Sequence, residues 1–154
     1  ILKSQKDVVK AAQALVDERK DLEKQIEDMK SEKVASLKLI LKNRAEQING
    51  INFIAHKLDG DMQTAKNLAF QMKDVVDNLF LVIGNEADGK ANLTVMISDN
   101  LTKEKGMNAG QIIRDLAKEI QGGGGGQPHF ATAGGKNPEG LDRALEKART
   151  LINA

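Results

Sequence analysis

The stretch LFLVIGNEADGKANLTVMIS, residues 79–98, decides the fold. Its first five residues, Leu79-Phe80-Leu81-Val82-Ile83, are apolar at every position, as expected of a central strand covered on both faces. Asp88-Gly89, inside the turn 85–89, is a hairpin signal, and residues 93–98 read as the returning strand. The run Gly84-Asn85-Glu86-Ala87-Asp88-Gly89-Lys90-Ala91 comes close to a phosphate-binding P-loop. Ala91 has no hydroxyl for Mg²⁺, and a strand rather than a helix follows, so the match is a coincidence.

Working outward, Ile51, Phe53 and Ala55 alternate with Asn52, Ile54 and His56, which predicts a strand ending at Asp59-Gly60. Asp61 is placed to cap a helix whose apolar face is Met62, Ala65, Ala69, Met72 and Val76. Downstream, Asn108 caps a helix with Ile112, Ile113, Leu116, Ala117 and Ile120 on its buried side. The last helix starts with Asn137 as cap and Pro138 at its first position, and buries Leu141, Ala144, Leu145, Ala148 and Leu151 or Ile152. Strands alternating with helices predict an α/β (α+β) globular domain over residues 48–154, with a mixed sheet of about four to five strands.

Residues 1–47 form a separate helical, coiled-coil-like segment. Val8, Leu15, Leu22 and Met29 recur every seven residues, with Ala12 and Ile26 four places after Val8 and Leu22. Gln5 and Arg19 interrupt the seam. Val34, Leu37, Leu41 and Ala45 continue the helical spacing, and Ser31-Glu32-Lys33 is the expected reversal of an antiparallel helical hairpin. The chain opens on Ile1 within this helical pattern, which reads as a piece of a longer protein.

Composition narrows the function. Of 154 residues, 40% are hydrophobic and 29% charged, which excludes a disordered chain. No cysteine is present, so disulfides and thiolate metal sites are excluded. The longest apolar run is far short of the roughly 20 residues that span a bilayer, so no membrane partner is expected. Net charge is only +1, and residues 1–47 carry 11 Lys/Arg against 9 Asp/Glu. A nucleic-acid partner would therefore be held by shape and a local patch rather than a large field. With four Phe and no Trp or Tyr, an aromatic stacking platform has little material.

The second informative stretch is GGGGGQPHFATAGGK, residues 122–136. Glycine is needed where φ is positive or where another chain approaches the backbone closely. Consecutive amides in such a loop can cradle an anion. A phosphate-contacting loop and a tight loop packed on the sheet are both open at this point. A dinucleotide fingerprint fails, because no glycine stands five places after any of Gly122, Gly123, Gly124, Gly125 or Gly126.

The longer run GGGGGQPHFATAGGKNPEGLDRAL closely resembles the signature of the DHH-associated C-terminal domain, which closes alanyl-tRNA synthetases and also occurs in DHH-type phosphoesterases. The resemblance extends to residues 51–60, 79–97 and 108–120, and NAGQIIRDLAKEI before the glycines is similar to the synthetase branch. It implies a non-catalytic tRNA-binding domain in the cytoplasm, recognising the outer corner of tRNA(Ala). Such a domain helps present the tRNA to the aminoacylation and editing sites of the parent synthetase's remaining domains, and in some members it dimerises. It needs no cofactor of its own; ATP binding belongs to the parent ligase. Recognition of folded RNA shape suits a chain poor in aromatics. The family commonly has Arg directly after the glycines and an acidic residue two places later; here these are Gln127 and His129.

The candidate RNA contacts are Gly122, Gly123, Gly124, Gly125, Gly126, Gln127, His129 and Lys136, with Arg114 and Lys118 four residues apart on one helix face. Lys103 and Lys105 are secondary candidates. His56 and His129 are the only histidines, and no metal site is expected from them. No catalytic residues are assigned. Two other readings stay open: the accessory domain of a DHH-type phosphoesterase, and a structural module that forms a homodimer through the heptad segment.

Overall fold

The computed structural model describes residues 4–153. Ile1–Lys3 and Ala154, parts of the two expected subdomains, lie outside the described residues. The chain divides between Ser36 and Leu37 into two compact units.

The first unit is helical. Helix α1 runs from Gln5 to Asn43, its residues from Leu37 onward counting with the second unit, and the reversal expected at Ser31-Glu32-Lys33 does not occur. The reason is local: no Gly or Pro stands before Gly50, and a lone Ser among good helix formers is too weak a breaker. Ion and amide pairs one turn apart support it, with Arg19 Nε 2.9 Å from Glu23 and Gln13 Nε2 3.0 Å from Asp17. The heptad residues lie on the surface of this unit, from Leu22 at 51% exposed to Met29 at 69%.

The second unit is a six-stranded mixed sheet in the order β1-β2-β3-β4-β6-β5. Its strands are β1 (Glu46–Ile48), β2 (Ile51–Leu58), β3 (Leu79–Ala87), β4 (Lys90–Ile97), β5 (Gly122–Gly126) and β6 (Phe130–Gly135). Only β2 and β3 are parallel. A parallel pair needs a crossover, which is helix α2 (Met62–Val75). A short helix α3 (Asp99–Glu104), α4 (Ala109–Ala117) and α5 (Leu141–Asn153) complete the unit.

As its continuous apolar run requires, β3 is buried on both faces from Leu79 to Asn85. Phe80 and Val82 join Phe53, Leu93, Val95 and the α4 and α5 residues Ile113, Leu116, Leu141, Ala144 and Ala148 in one core cluster. Leu79, Leu81 and Ile83 alternate with them and are equally buried, on the α2 side. Asn85 ends this row, with its Nδ2 donating to the Gly60 carbonyl at 3.1 Å. The β3–β4 turn has Asp88 and Gly89 at φ +53° and +72°, as the hairpin signal requires.

Two of the three expected caps form. Asp61 Oδ1 accepts from the Thr64 amide at 2.7 Å, and Asn108 Oδ1 from the Gln111 amide at 3.1 Å. Asn137 does not cap by its side chain. A single 3-10 turn, Pro138–Gly140, precedes α5, and the Asn137 amides are drawn instead to the end of α4, with N–H donating to Ile120 O and Nδ2 to Glu119 O. Of the two alternatives in α5, Ile152 is buried and Leu151 is 40% exposed. The strand alternation expected from residue 51 holds at Ile51 and Phe53 but not beyond: Ile54 is buried and Ala55 exposed. Strand β1 and helix α3 are additional to the elements expected. The Asn49-Gly50 turn that joins β1 to β2 has φ +52° and +78°, a hairpin geometry favouring Asn-Gly.

Candidate nucleic-acid interface

The five glycines are not a loop. They form β5, one of the two edge strands, paired antiparallel with β6 in the register Gly122↔Gly135 to Gly126↔Ala131. None of the five has a positive φ, so close approach is the operative reason for glycine. A Cβ on Gly122, Gly124 or Gly126 would stand 1.9, 2.3 or 2.4 Å from a β6 carbonyl oxygen, of Gly134, Thr132 and Phe130 respectively. Helix α4 presses on the far end, where a Cβ on Gly110 would meet Gly126 O at 2.9 Å.

The two alternate glycines are different. Nothing lies within 4 Å of a Cβ built on Gly123, and only Arg114 Nη2, at 4.0 Å, approaches one on Gly125. Packing within the chain explains three of the glycines and leaves these two without an internal cause. As an edge strand of the sheet, β5 also turns a row of N–H and C=O groups away from β6.

The expected site residues divide along this hairpin. Arg114, exposed on α4, lies beside Gly125. Gln127 closes the β5–β6 turn, its amide donating to Phe130 O at 2.8 Å, and its side chain is exposed. The His129 carbonyl accepts from the Ile97 amide at 2.8 Å, which locks the turn to β4. Lys136 follows β6 at the opposite end, roughly 20 Å from Gln127 at about 3.3 Å per residue. Lys118 is drawn off: its Nζ sits 3.0 Å from Asp115, so it offers little free charge.

Electrostatics follow the same division. Asp115 is held below its usual carboxylate range by the hydrogen bond and charge of Lys118, with Lys147 adding to it. Asp99 is lowered by its hydrogen bond to Lys73, then by the Lys73 charge, with His129 and Lys103 adding smaller attractions. Lys105 donates to the Asn49 carbonyl and braces the β1–β2 turn. Among the described residues, no three His, Cys, Asp or Glu side chains converge on a metal position, and no helix is long and apolar enough to cross a membrane.

One residue on this surface is absent from the sequence-derived candidates. Phe70 on α2 is 47% exposed, and its ring centroid is 4.9 Å from that of Phe130, beside the β5–β6 turn. The available signal is its position off the apolar stripe of α2, where a large aromatic has no core to enter.

The edge hairpin, its packing on α4 and the mixed sheet behind it define the class. Residues 50–154 match the model of the DHHA1 domain, and the chain belongs to that family. Over 98% of its length it is 51% identical to an alanine–tRNA ligase of Christiangramia forsetii, of which it spans 17%. An alanine–tRNA ligase of Cytophaga hutchinsonii is 46% identical over 99% of the chain, again 17% of that protein. The chain thus spans about a sixth of the length of these relatives. Among solved structures, the C-Ala domain of the Aquifex aeolicus alanyl-tRNA synthetase superposes with a TM-score of 0.62 at 23% identity. That match covers 71% of this chain and 98% of the other.

Proposed function

We propose that this chain is the C-terminal, non-catalytic tRNA-binding domain of an alanine–tRNA ligase. It grips the elbow of tRNA(Ala) with the β5–β6 hairpin and helps present the tRNA to aminoacylation and editing sites elsewhere in the cytoplasmic parent enzyme. The observation that carries this reading is the pair Gly123 and Gly125. They leave bare backbone on an exposed strand edge, where no contact inside the chain forbids a side chain. A ribose–phosphate backbone can approach such an edge to van der Waals contact, with strand amides facing phosphates and 2′-hydroxyls. Arg114 beside Gly125 supplies a phosphate donor there, replacing the Arg that the family commonly carries where this chain has Gln127. The identity of the relatives favours this reading over an accessory domain of a phosphoesterase.

The test is binding of the chain to folded tRNA(Ala) and to a single-stranded RNA of equal length across a salt series. Preference for the folded tRNA, with affinity falling as salt rises, is the expected result. Equal affinity for both RNAs, or for neither, would remove the elbow-binding role.

A second reading rests on a separate observation, the exposed heptad stripe Val8, Leu15, Leu22, Ile26 and Met29 of the first unit. Pairing of two copies along this stripe makes the chain a homodimer. Light scattering of wild type and of the double variant Leu15→Glu, Leu22→Glu checks it: a dimeric mass that halves in the variant supports pairing, and a monomeric wild type rules it out.

A further inference from the structure

At the end of the hairpin away from Gln127, the sheet carries a cavity of about 290 Å³. Lys90, Asn92, Gln121, Gly122, Gly134 and Lys136 are among its lining residues, and no carboxylate is. The strand register explains the gathering. Ala91 pairs with Gly135 and Asn92 with Gly134, so Lys90 and Lys136 stand as the next cross-strand pair. Gly135 in turn pairs with Gly122, which puts Gln121 beside Lys136 on the other side. Lys90 opens β4, Lys136 follows β6 and Gln121 precedes β5, so the three flank one corner of the sheet.

This arrangement is unfavourable by itself. Two like charges directly opposite each other on neighbouring strands repel, and neither lysine side chain has an ion pair or hydrogen bond among the described residues. Gln121 is held at φ +52°. Among the described residues, the other non-glycine residues with positive φ are Asn49, Asn78 and Asp88, types that tolerate the left-handed region. A Gln there is strained, in a segment where glycine follows immediately. The side chain is kept at a strained position beside two uncompensated cations.

We infer that this corner is a phosphate seat, in which Lys90 and Lys136 supply charge and the Asn92 and Gln121 amides supply N–H donors. Its occupant is a backbone phosphate of the RNA that lies along β5, since the cavity opens beside Gly122 at the start of that strand. The inference rests on the tRNA reading for its occupant, but the seat itself does not depend on it. Apart from Lys136, none of these side chains belongs to the glycine signature.

The first test is a ¹⁵N-correlated NMR titration with inorganic phosphate on wild type and on the double variant Lys90→Gln, Lys136→Gln. Both lysines are exposed, so the variant folds. Shifts centred on Lys90, Gln121, Gly134 and Lys136, present in wild type and absent in the variant, support the seat; no shifts there overturn it. The second test is tRNA(Ala) binding across salt. The variant should weaken binding and reduce the magnitude of the log–log salt slope by about 0.8, the value for one phosphate that is no longer neutralised. A variant that binds tRNA with unchanged affinity and slope overturns the RNA occupant while leaving the elbow reading intact. A 5′-mononucleotide that saturates the seat as tightly as tRNA also overturns it, in favour of a free nucleotide. If wild type binds no tRNA, the elbow reading fails and the RNA occupant with it.

Discussion

Gly123 and Gly124 are adjacent in one strand and answer to different causes. A methyl on Gly124 would stand 2.3 Å from Thr132 O and 2.4 Å from Ala133 Cβ, so Gly124→Ala must push β5 off β6. The expected loss is on the order of 2 kcal/mol, as for other overpacked sites, read by denaturant unfolding. Gly123→Ala meets nothing within 4 Å. It should leave stability unchanged or raise it by up to about 1 kcal/mol, because alanine restricts the unfolded chain, yet weaken tRNA binding. A Gly123→Ala variant with full affinity would show that no RNA comes close at this residue. Asp115 makes the second residue-level case. Its carboxyl is depressed in the folded chain, so the Lys118 contact stabilises above the ordinary value of 3.8 and is lost as pH falls through the lower folded value. Carboxyl NMR titration should find the Asp115 midpoint below 3.8, and Lys118→Gln should raise it toward that figure. The same pairing makes Lys118→Gln a weaker perturbation of tRNA affinity than Arg114→Gln.

At the scale of elements, legibility tracks side-chain patterning. Helices α2 and α4 are readable from an apolar stripe and a capping residue, and β3 from its unbroken apolar run. Strand β5 is not, because five glycines carry no alternation; its strand identity comes only from the ladder that β6 offers it. Strand β1, at three residues, is too short to show a period, although its Asn49-Gly50 turn has the residues of a hairpin. At Ser31 the apolar spacing shifts and suggests a break, but no helix-breaking residue stands there and α1 runs on. Ser31→Pro tests that continuity directly. In an unbroken helix it costs about 3 kcal/mol and should lower helical signal in circular dichroism, whereas a turn between two helices would accept it with no change.

For the molecule as a whole, a net charge of +1 means that no long-range field gathers RNA. On the proposed reading the charged groups that would meet tRNA are few and local, at Arg114 and at the Lys90–Lys136 corner, and salt would screen them within about 8 Å at physiological ionic strength. The proposed fit of a folded RNA against the bare β5 edge would not be screened. The ratio of affinities for folded tRNA over single-stranded RNA should therefore hold or grow from low to physiological salt, while both absolute affinities fall. A ratio that collapses toward unity with salt would mean that charge alone discriminates between them.

What the amino-acid order determined by itself was local. It set the apolar periods of α1, α2, α4 and α5, the doubly covered β3, the turn at Asp88-Gly89, and the signature that marks the family, because each of these depends on neighbours within a few residues. Only the tertiary structure decided that β6 lies between β4 and β5, so that Gly122–Gly126 becomes an outer strand. It likewise decided that Lys90 and Lys136, 46 positions apart, line one cavity. Both follow from long-range strand pairing, whose register is chosen by backbone hydrogen bonds and shared burial; glycine strands and surface lysines contribute no pattern from which that choice can be read.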